Sequence, residues 1–428
     1  MTTAPAHSFF AAGVSALADP VAAATRAAEQ AVRGLAGRRP DLVFLYISGD
    51  HVPHAREILT IIHERLHPRH VIGCSAEGVI AGASEIEGKA AVSLLAACLP
   101  NVDIHVFTDA DLPPIPDKLD DDTLGSIAQG IGARGDLRAT FLFVDTFNVP
   151  MVRLMPALNA ARHTGADALP IGLIAGGLVS GAKSPKDCRL ILDDTVRHHG
   201  HVGVSLRGGI DIEAIVSQGC RSIGQPFVVT KAKGNVILEL GGRSALDAIQ
   251  DLVQDLPDSD KEKLHNSLLI GRVINEYKDR FGRSDFLIRN IIGVDQKHKA
   301  IAVTDIVRAG TTVQFQLRDA TTASQDLGML LDAQQLHDTP SGILLFTCNG
   351  RGSRLFSTPH HDARKVATAF DTQRSGEEAA KGGMSIDSPH APIPMSGFFA
   401  SGEIGPIGND SYLHGQTACV VLFRDPHD

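Results

Sequence analysis

Cysteine is scarce in this sequence, and no two cysteines lie close together. Six of them are spread over 428 residues, and no C-x-x-C pair occurs among them. This spacing excludes the disulfide framework that small secreted proteins use. We therefore expect reduced thiols and a cytoplasmic protein.

Long apolar runs and an excess of positive charge are absent too. The sequence contains no run of about eighteen apolar residues, which is the length that a helix needs to cross a bilayer. The first residues, MTTAPAHSFFAAGVSALADP, lack the basic start and apolar core of a secretory signal. A formal net charge of −9 gives no electrostatic reason to bind nucleic acid. We expect a soluble protein whose partners include neither a membrane nor a nucleic acid.

What is present is the composition of an ordinary globular protein. Apolar residues make up 43 % of the chain and charged residues 21 %. Its 428 residues are too many for one typical hydrophobic core. In the first half, apolar runs such as DLVFLYIS (41–48) alternate with helical patterns, whereas short turn-separated strands follow one another in the second half. We predict an α/β to α+β fold of two mixed-sheet domains with flanking helices. They span residues 1–225 and 226–428, and the C-terminal domain is richer in antiparallel strands.

One motif is typical of zinc proteases. The stretch IIHERLHPRH (61–70) contains His63, Glu64 and His67 in the spacing of a zinc-protease helix. On a helical wheel, however, Glu64 lies opposite the apolar stripe and both histidines lie on its flank. Pro68 ends the helix directly after His67, and no downstream residue stands out as a third ligand. We favour a solvated amphipathic helix, keep a zinc-dependent hydrolase as a minor alternative, and expect neither a metal nor a cofactor.

A glycine-rich strand end is a better candidate for a site. The segment LLFTCNGRGSRLF (344–356) leads from a buried strand through Asn349 and Arg351 to Arg354, where the pattern predicts the start of a helix. Glycines let backbone N–H groups approach a ligand, and arginine binds carboxylate or phosphate with a planar fork. A tight turn with two solvated arginines is the alternative.

Two further segments place polar residues at the ends of apolar strands. They are GFFASGEIGPIGNDSYLHGQT (397–417) and IGCSAEG (72–78), and such strand ends suit a small polar ligand. A long structural loop is the alternative for the first segment, and a buried, unreactive Cys74 is favoured over a nucleophile for the second. The predicted ligand-binding residues are Cys74, Ser75, Glu77, Asn349, Arg351, Arg354, Ser401, Glu403, His414 and Gln416.

These segments together resemble the FIST family, which has an N-terminal and a C-terminal FIST domain. The matching pieces include VIGCSAEGVIAG, DFLIRNIIGVD, LLFTCNGRGSRLF and GFFASGEIGP, in the family's order. The resemblance implies an intracellular sensory module for signal transduction, which binds small ligands such as amino acids. Family members often carry an output domain. Because too few residues remain on either side for one, we expect signalling through a separate partner.

The favoured function is therefore a sensor of an amino acid or a related carboxylate metabolite. Arg351 or Arg354 would take the carboxylate, and Glu77 or Glu403 would meet an ammonium group. The neutral polar residues of the three segments would supply the remaining hydrogen bonds.

Two other functions stay open. An enzyme would use Cys74 or Cys348 as a nucleophile, or His414 as a general base. No pattern in the sequence pairs these groups, so we assign no catalytic residue and expect a non-enzyme. A protein-interaction scaffold is the third possibility.

Overall fold

The structure is a computed structural model of the chain. It describes residues 7–163, 169–264, 267–278, 280–380 and 392–426, with the backbone alone at 284 and 372–380. The chain divides into two compact units, Met1–Val216 with Leu327–Leu413 and Ala418–Asp428, and Ser217–Asp326 with His414–Thr417. Mixed sheets and a closed antiparallel barrel make an α+β fold, which confirms the predicted fold class. The domain division at residues 225 and 226 stays a prediction.

Three modules with the same order of elements contain the first unit, and the ends of four elements of the third module extend into the second unit. Each runs strand, helix, strand, helix, strand, hairpin, strand. The first module comprises β1 (Phe9–Ser15), α1 (Pro20–Leu35), β2 (Leu42–Ser48), α2 (Ala55–Leu66), β3 (His70–Ala76), β4 (Gly78–Ala81), β5 (Ser84–Glu87) and β6 (Ala91–Cys98). The second comprises β7 (Val102–Thr108), α3 (Asp121–Gly130), β8 (Leu137–Val144), α4 (Met151–Ala161), β9 (Leu173–Leu178), β10 (Leu190–Leu192), β11 (Thr195–Arg197) and β12 (His201–Gly208).

The third module begins with β13 and resumes after the second unit, which is inserted in the chain. Its elements are β13 (Asp211–Gln218), α7 (Ala320–Gln334), β22 (Gly342–Cys348), α8 (His361–Ala380), β23 (Met395–Ala400), β24 (Glu403–Ile407), β25 (Asp410–His414) and β26 (Thr417–Arg424). The second unit contains β14 (Cys220–Ser222), β15 (Phe227–Lys233), β16 (Val236–Leu240), β17 (Arg243–Ser244), α5 (Ala245–Asp255), α6 (Asp258–Lys261), β18 (Leu268–Val273), β19 (Phe286–Asp295), β20 (Ala300–Val303) and β21 (Thr312–Arg318).

The three modules exchange hairpins in a cycle. Each supplies a parallel strand pair to the middle of a six-stranded sheet, namely β2 with β3, β8 with β9, and β22 with β23. The hairpin that follows each pair completes another module's sheet. The resulting strand orders are β1-β6-β2-β3-β10-β11 in the first sheet, β7-β12-β8-β9-β24-β25 in the second and β13-β26-β22-β23-β4-β5 in the third. No module of the first unit completes its own sheet.

Aromatic side chains from all three sheets form one common core. Tyr46 of β2 stacks on Phe398 of β23, with ring centroids 5.0 Å apart, and meets the edge of Phe143 of β8 at 5.7 Å. Phe143 in turn contacts Phe346 of β22 at 6.0 Å. Because these strands are buried on both faces, their sequences are continuous apolar runs. The outer faces of the sheets pack on the helices, as the alanines of α1 do on the first sheet.

A glycine at the same place in each parallel pair lets the strands approach closely. A Cβ atom there would lie 1.8 Å from a leucine carbonyl oxygen of the paired strand in two sheets and 2.1 Å in the third. No side chain fits at such a distance, so glycine is required. The three glycines are Gly73, Gly176 and Gly397.

The second unit is built around a closed antiparallel barrel. The path β21-β15-β16-β20-β19-β18 returns to β21, because β21 also pairs with β18. Its interior holds a separate apolar cluster that includes Val229, Ile270, Ile301 and Phe315. Closure leaves these strands without a free edge.

Several elements differ from the sequence prediction. The pattern does not predict β1, because FFAAGVS lacks a clear alternation of apolar and polar residues. The helix predicted to start at Arg354 begins at His361 instead, since Gly352–Arg354 is a single 3-10 turn. The polar segment PDSDKEK (257–263), whose composition is typical of a turn, contains a short helix. The segment RSGEEAAKGGMSIDSPHAP (374–392) has the most loop-like composition of the chain, yet its residues up to Ala380 belong to α8, and 381–391 lie outside the described residues.

Candidate functional site

The exchanged hairpin β4–β5 forms a small cavity with the turn after β22. The cavity has a volume of about 210 Å³. Glu77 precedes β4 and Glu87 ends β5, so the exchange places both carboxylates beside the Asn349 end of β22 in the third sheet. We call this space the Glu77 cavity. Its lining residues are Glu77, Gly78, Glu87, Gly88, Asn349, Ser353, Arg354 and Phe399.

An ion pair between Glu77 and Arg354 crosses this cavity. Nη1 of Arg354 donates to Oε2 of Glu77 over 3.2 Å, and Nη2 pairs with Oε1. The same Nη1 also donates to the carbonyl oxygen of Asn349 over 2.7 Å. The Arg354 side chain is 53 % exposed and that of Glu77 is 33 % exposed. Such a solvated pair contributes little to stability, so a ligand can separate it at small cost.

The second carboxylate of the cavity is held by backbone and hydroxyl groups. Ser353 donates its backbone N–H to Oε1 of Glu87 over 3.0 Å and its hydroxyl to Oε2 over 2.9 Å. The preceding Gly352 has a φ of 54°, and a Cβ there would lie 2.7 Å from the Glu87 carboxyl group. Glycine is required at this turn because both the conformation and the space exclude a side chain.

Arg351 lies behind the cavity in a buried ion pair. Its Nε and Nη2 donate to Asp362 at the start of α8 over 2.6 and 2.9 Å, and both side chains are fully buried. Thr347 donates to the same carboxylate over 3.0 Å. Burial alone would raise the pKa of Asp362, but the Arg351 guanidinium outweighs it and holds that pKa well below its ordinary range. Arg351 therefore links the turn to α8 through an ion pair and does not line the cavity.

Two family models match the sequence of this chain. The FIST N domain matches residues 41–243, and the FIST C domain matches residues 245–406. The chain belongs to the FIST family. FIST domains are associated with sensory binding of small ligands in signalling. No helix among the described residues of this FIST protein is both long and apolar enough to cross a membrane.

Relatives of this FIST protein match it over nearly its whole length. An uncharacterized protein of Mycobacterium tuberculosis strain H37Rv is 38 % identical over 418 residues, or 96 % of this chain and 99 % of that protein. An uncharacterized protein of Mycobacterium bovis is 36 % identical over 415 residues, covering 96 % and 98 %. The crystal structure of a cyanuric acid hydrolase from A. caulinodans matches 98 % of this chain and 100 % of that chain, at 10 % identity and a TM-score of 0.30. So low a TM-score supports no statement about activity.

The remaining predicted residues of the first unit do not line the Glu77 cavity of this FIST protein. Cys74 is fully buried in the common core, and burial raises the pKa of its thiol well above the ordinary value. Ser75 is buried, and its hydroxyl accepts from the backbone N–H of Arg189 over 3.1 Å. Ser401 is exposed, whereas Glu403 is fully buried and lies opposite a glycine of β9. Three of the ten predicted residues thus meet in the cavity, namely Glu77, Asn349 and Arg354.

The last two predicted residues belong to the second unit. His414 is buried. Gln416 adopts a φ of 64°, and its carbonyl oxygen accepts from the backbone N–H of Gly219 over 2.9 Å. Their part in ligand binding stays a prediction.

The zinc-protease motif lies on an ordinary amphipathic helix. The residues of α2 that are buried are Ala55, Ile58, Leu59, Ile62 and Leu66. His63 is half-buried beside Asp194, with Nε2 3.3 Å from its carboxylate, whereas Glu64 and His67 are exposed. Within the described residues, no three histidine, cysteine or acidic side chains are placed to share a metal ion.

Sequence reasoning missed Glu87 and Ser353 as lining residues. Ser353 stands within the segment 344–356 but is not among the residues selected from it, whereas Glu87 lies outside every quoted segment, 262 positions before Asn349 in a chain of 428 residues. The exchange of hairpin β4–β5 brings them together, and short-range spacing carries no signal of that exchange.

Proposed function

We propose that this FIST protein binds a small amino acid or a related carboxylate metabolite in the Glu77 cavity, and that binding is a signal to a separate protein. The observation that supports the proposal is the separable ion pair between Glu77 and Arg354 inside a small cavity. A ligand that carries both charges replaces each partner of that pair with a group of the same sign.

The charges of the cavity favour such a ligand. Two carboxylates, Glu77 and Glu87, face one guanidinium, that of Arg354. The ammonium group of an amino acid would take the place of the guanidinium beside Glu77, and its carboxylate would accept from Arg354. An anion without an ammonium group would meet two carboxylates and one arginine, so the net charge disfavours it.

The size of the cavity limits the ligand. Its volume of about 210 Å³ is below the range of about 300–1,000 Å³ that is typical of pockets for drug-sized ligands. Phe399 supplies an apolar surface beside the charged groups. We therefore propose a small zwitterion with a short side chain rather than a nucleotide or a peptide.

Binding would act on the hairpin. Glu77 and Glu87 flank β4–β5, and Arg354 and Ser353 belong to the turn that Arg351 fastens to α8. A ligand that separates Glu77 from Arg354 therefore alters the link between this hairpin and the turn. We propose that a separate signalling partner binds this surface differently in the presence of the ligand. We also propose that this binding takes place in the cytoplasm.

A thermal-shift screen over the twenty amino acids and a set of small organic acids tests the proposal. A ligand at 100 times its Kd stabilises the native state by about 2.7 kcal/mol, which such a screen detects. We expect at least one amino acid to raise the Tm, and the Arg354→Gln variant to lose that response. Arg56→Gln changes an exposed arginine of α2 and serves as the control. No shift with any compound, or an equal shift in Arg354→Gln, would contradict the proposal.

A further inference from the structure

A second and larger cavity lies within the second module. Its volume is about 710 Å³, which is within the range of small-molecule sites. The segment after β8, the turn before β10 and the segment that leads into β12 form its walls. We call it the His201 cavity. None of its residues lines the Glu77 cavity.

Much of the wall is apolar. Val149, Pro150 and Leu154 come from the segment after β8, Ile115 precedes α3, and Pro185 lies in the turn before β10. Water in contact with such a surface is displaced favourably by an apolar ligand body, at roughly 25 cal/mol per Å² of surface covered. The wall therefore selects for a ligand with a ring or a branched chain.

The charged groups at this cavity favour an anion. Its one carboxylate, Asp109, is already paired with Arg197 over 2.6 Å. Lys186 makes no salt bridge among the described residues, although its charge acts on the adjacent Asp187 carboxylate. Among the described residues, Arg153 pairs with Asp117, whose side chain is 82 % exposed, so this contact is weak. Two cations are thus available to an anionic group.

A buried imidazole adds a polar contact to the wall. His201 is only 5 % exposed, and its Nε2 atom is buried without a hydrogen-bond partner. A buried polar atom that lacks a partner costs free energy, which a ligand oxygen would recover. Burial also lowers the pKa of His201 to about 4, so the ring is neutral at neutral pH and hydrogen-bonds a ligand without adding charge.

Local backbone geometry keeps this imidazole segment in place. Gly200 has a φ of 84°, and a Cβ there would lie 2.4 Å from Oδ1 of Asp109. Its carbonyl oxygen accepts from the backbone N–H of Asp145 over 2.9 Å. The Asp145 carboxylate also accepts from the side-chain amide of Asn148, another wall residue, over 2.5 Å. The polar wall of the cavity is therefore already ordered.

We propose that the His201 cavity is a second ligand site, and that it binds a small organic acid with an aromatic or branched apolar body. The apolar wall holds the body, Lys186 and Arg153 take the carboxylate, and His201 supplies a neutral hydrogen bond. Net charge separates this site from the Glu77 cavity, where two carboxylates favour a ligand with an ammonium group.

Titration with 2-naphthoate tests the proposal, and uncharged 2-naphthamide is the matched control ligand. The chain contains no tryptophan, so naphthoate fluorescence is observed against a low protein background. We expect saturable binding of 2-naphthoate, with 2-naphthamide weaker by at least about tenfold because it lacks the charge. Lys186→Gln and Arg153→Gln change exposed side chains, so they leave the fold intact, and together they should weaken naphthoate binding by at least about tenfold.

Two further variants separate this site from the Glu77 cavity. His201→Phe should weaken naphthoate binding while circular dichroism shows an unchanged fold. Arg354→Gln should leave naphthoate binding as it is, so a failure here is distinguishable from a failure of the amino-acid site. Absence of binding, equal affinity for naphthoate and naphthamide, or unchanged affinity in the Lys186→Gln/Arg153→Gln protein would overturn the proposal.

Discussion

Replacing Glu85 by glutamine should make the protein more stable at alkaline pH. Glu85 lies on β5 and is only 3 % exposed. Its Oε1 accepts from the backbone N–H of Ala363 over 2.9 Å, while its Oε2 is buried without a hydrogen-bond partner. Burial, and then the charges of Asp362 and Glu87, raise the pKa of Glu85 from 4.5 to about 7.

The sign and size of the effect follow from this shift. Between pH 4.5 and about 7, the folded state retains a proton that the unfolded chain has lost, so stability falls as pH rises through this window. At 1.36 kcal/mol per pKa unit, the loss approaches roughly 3 kcal/mol and is complete above pH 7. Glutamine keeps the acceptor for Ala363 and cannot ionise. The variant should therefore match the native protein near pH 5 and exceed its stability by roughly 2–3 kcal/mol at pH 8.

Urea unfolding at a series of pH values measures this difference. Far-ultraviolet circular dichroism is the suitable signal, since the protein has no tryptophan. Glu64→Gln, which changes an exposed carboxylate of α2, is the control and should show no such pH-dependent gain. If the free energies of unfolding of Glu85→Gln and the native protein differ by the same amount at pH 5 and pH 8, the reasoning from burial is wrong.

Three other predictions concern the first unit. Asp362→Asn leaves the buried Arg351 without its charge partner and should cost about 3–5 kcal/mol of stability in urea unfolding, whereas Asp117→Asn at an exposed pair should cost less than about 1 kcal/mol. Gly73→Ala would place a Cβ 1.8 Å from a carbonyl oxygen and should prevent soluble expression, whereas Gly125→Ala, with no atom within 4 Å of the new Cβ, should be tolerated; equal yields would contradict the close approach. Cys74 should react with a thiol reagent only after unfolding, because its thiol is fully buried with a raised pKa; rapid labelling of the native protein, located by peptide mass, would refute this.

The sequence predicts the fold class because apolar runs report burial directly. β2 and β22 are buried over their whole length, and both stand out as continuous apolar segments. The segments IGCSAEGVI and FFASGEIGPI both lead from a strand through small residues to an acidic residue, and they form β3–β4 and β23–β24 at the same place in two modules. In the second module the corresponding hairpin, β10–β11, begins further along the chain after β9 ends.

The candidate site is only partly predictable because it depends on an exchange between distant segments. Glu77, Asn349 and Arg354 each stand at the end of an apolar strand or in the turn after it, which is a local signal. Arg351 carries the same local signal yet is buried with Asp362, and nothing in the spacing distinguishes the two arginines. The two arginines differ in their partners, because Arg351 pairs with Asp362 of α8 and Arg354 pairs with Glu77 of the cavity.

The His201 cavity carries a weaker signal still. Its polar residues come from four separated segments of one module, and the histidines at 198, 199 and 201 form no recognised motif. The chain contains 19 histidines, but the burial of His201 depends on how β12 packs against its neighbours. That packing is a tertiary property, which local patterns do not encode.

The cyclic exchange of hairpins has a consequence for how the chain acquires its structure during synthesis. The second sheet lacks β24–β25 until almost the whole polypeptide has left the ribosome. Until then, β9 of the second module has an exposed strand edge. The barrel of the second unit, by contrast, draws its strands from the contiguous residues 227–318 and can close early. We therefore expect nascent chains that stop before residue 403 to hold a folded barrel while the edge of β9 stays open to chaperones or to aggregation.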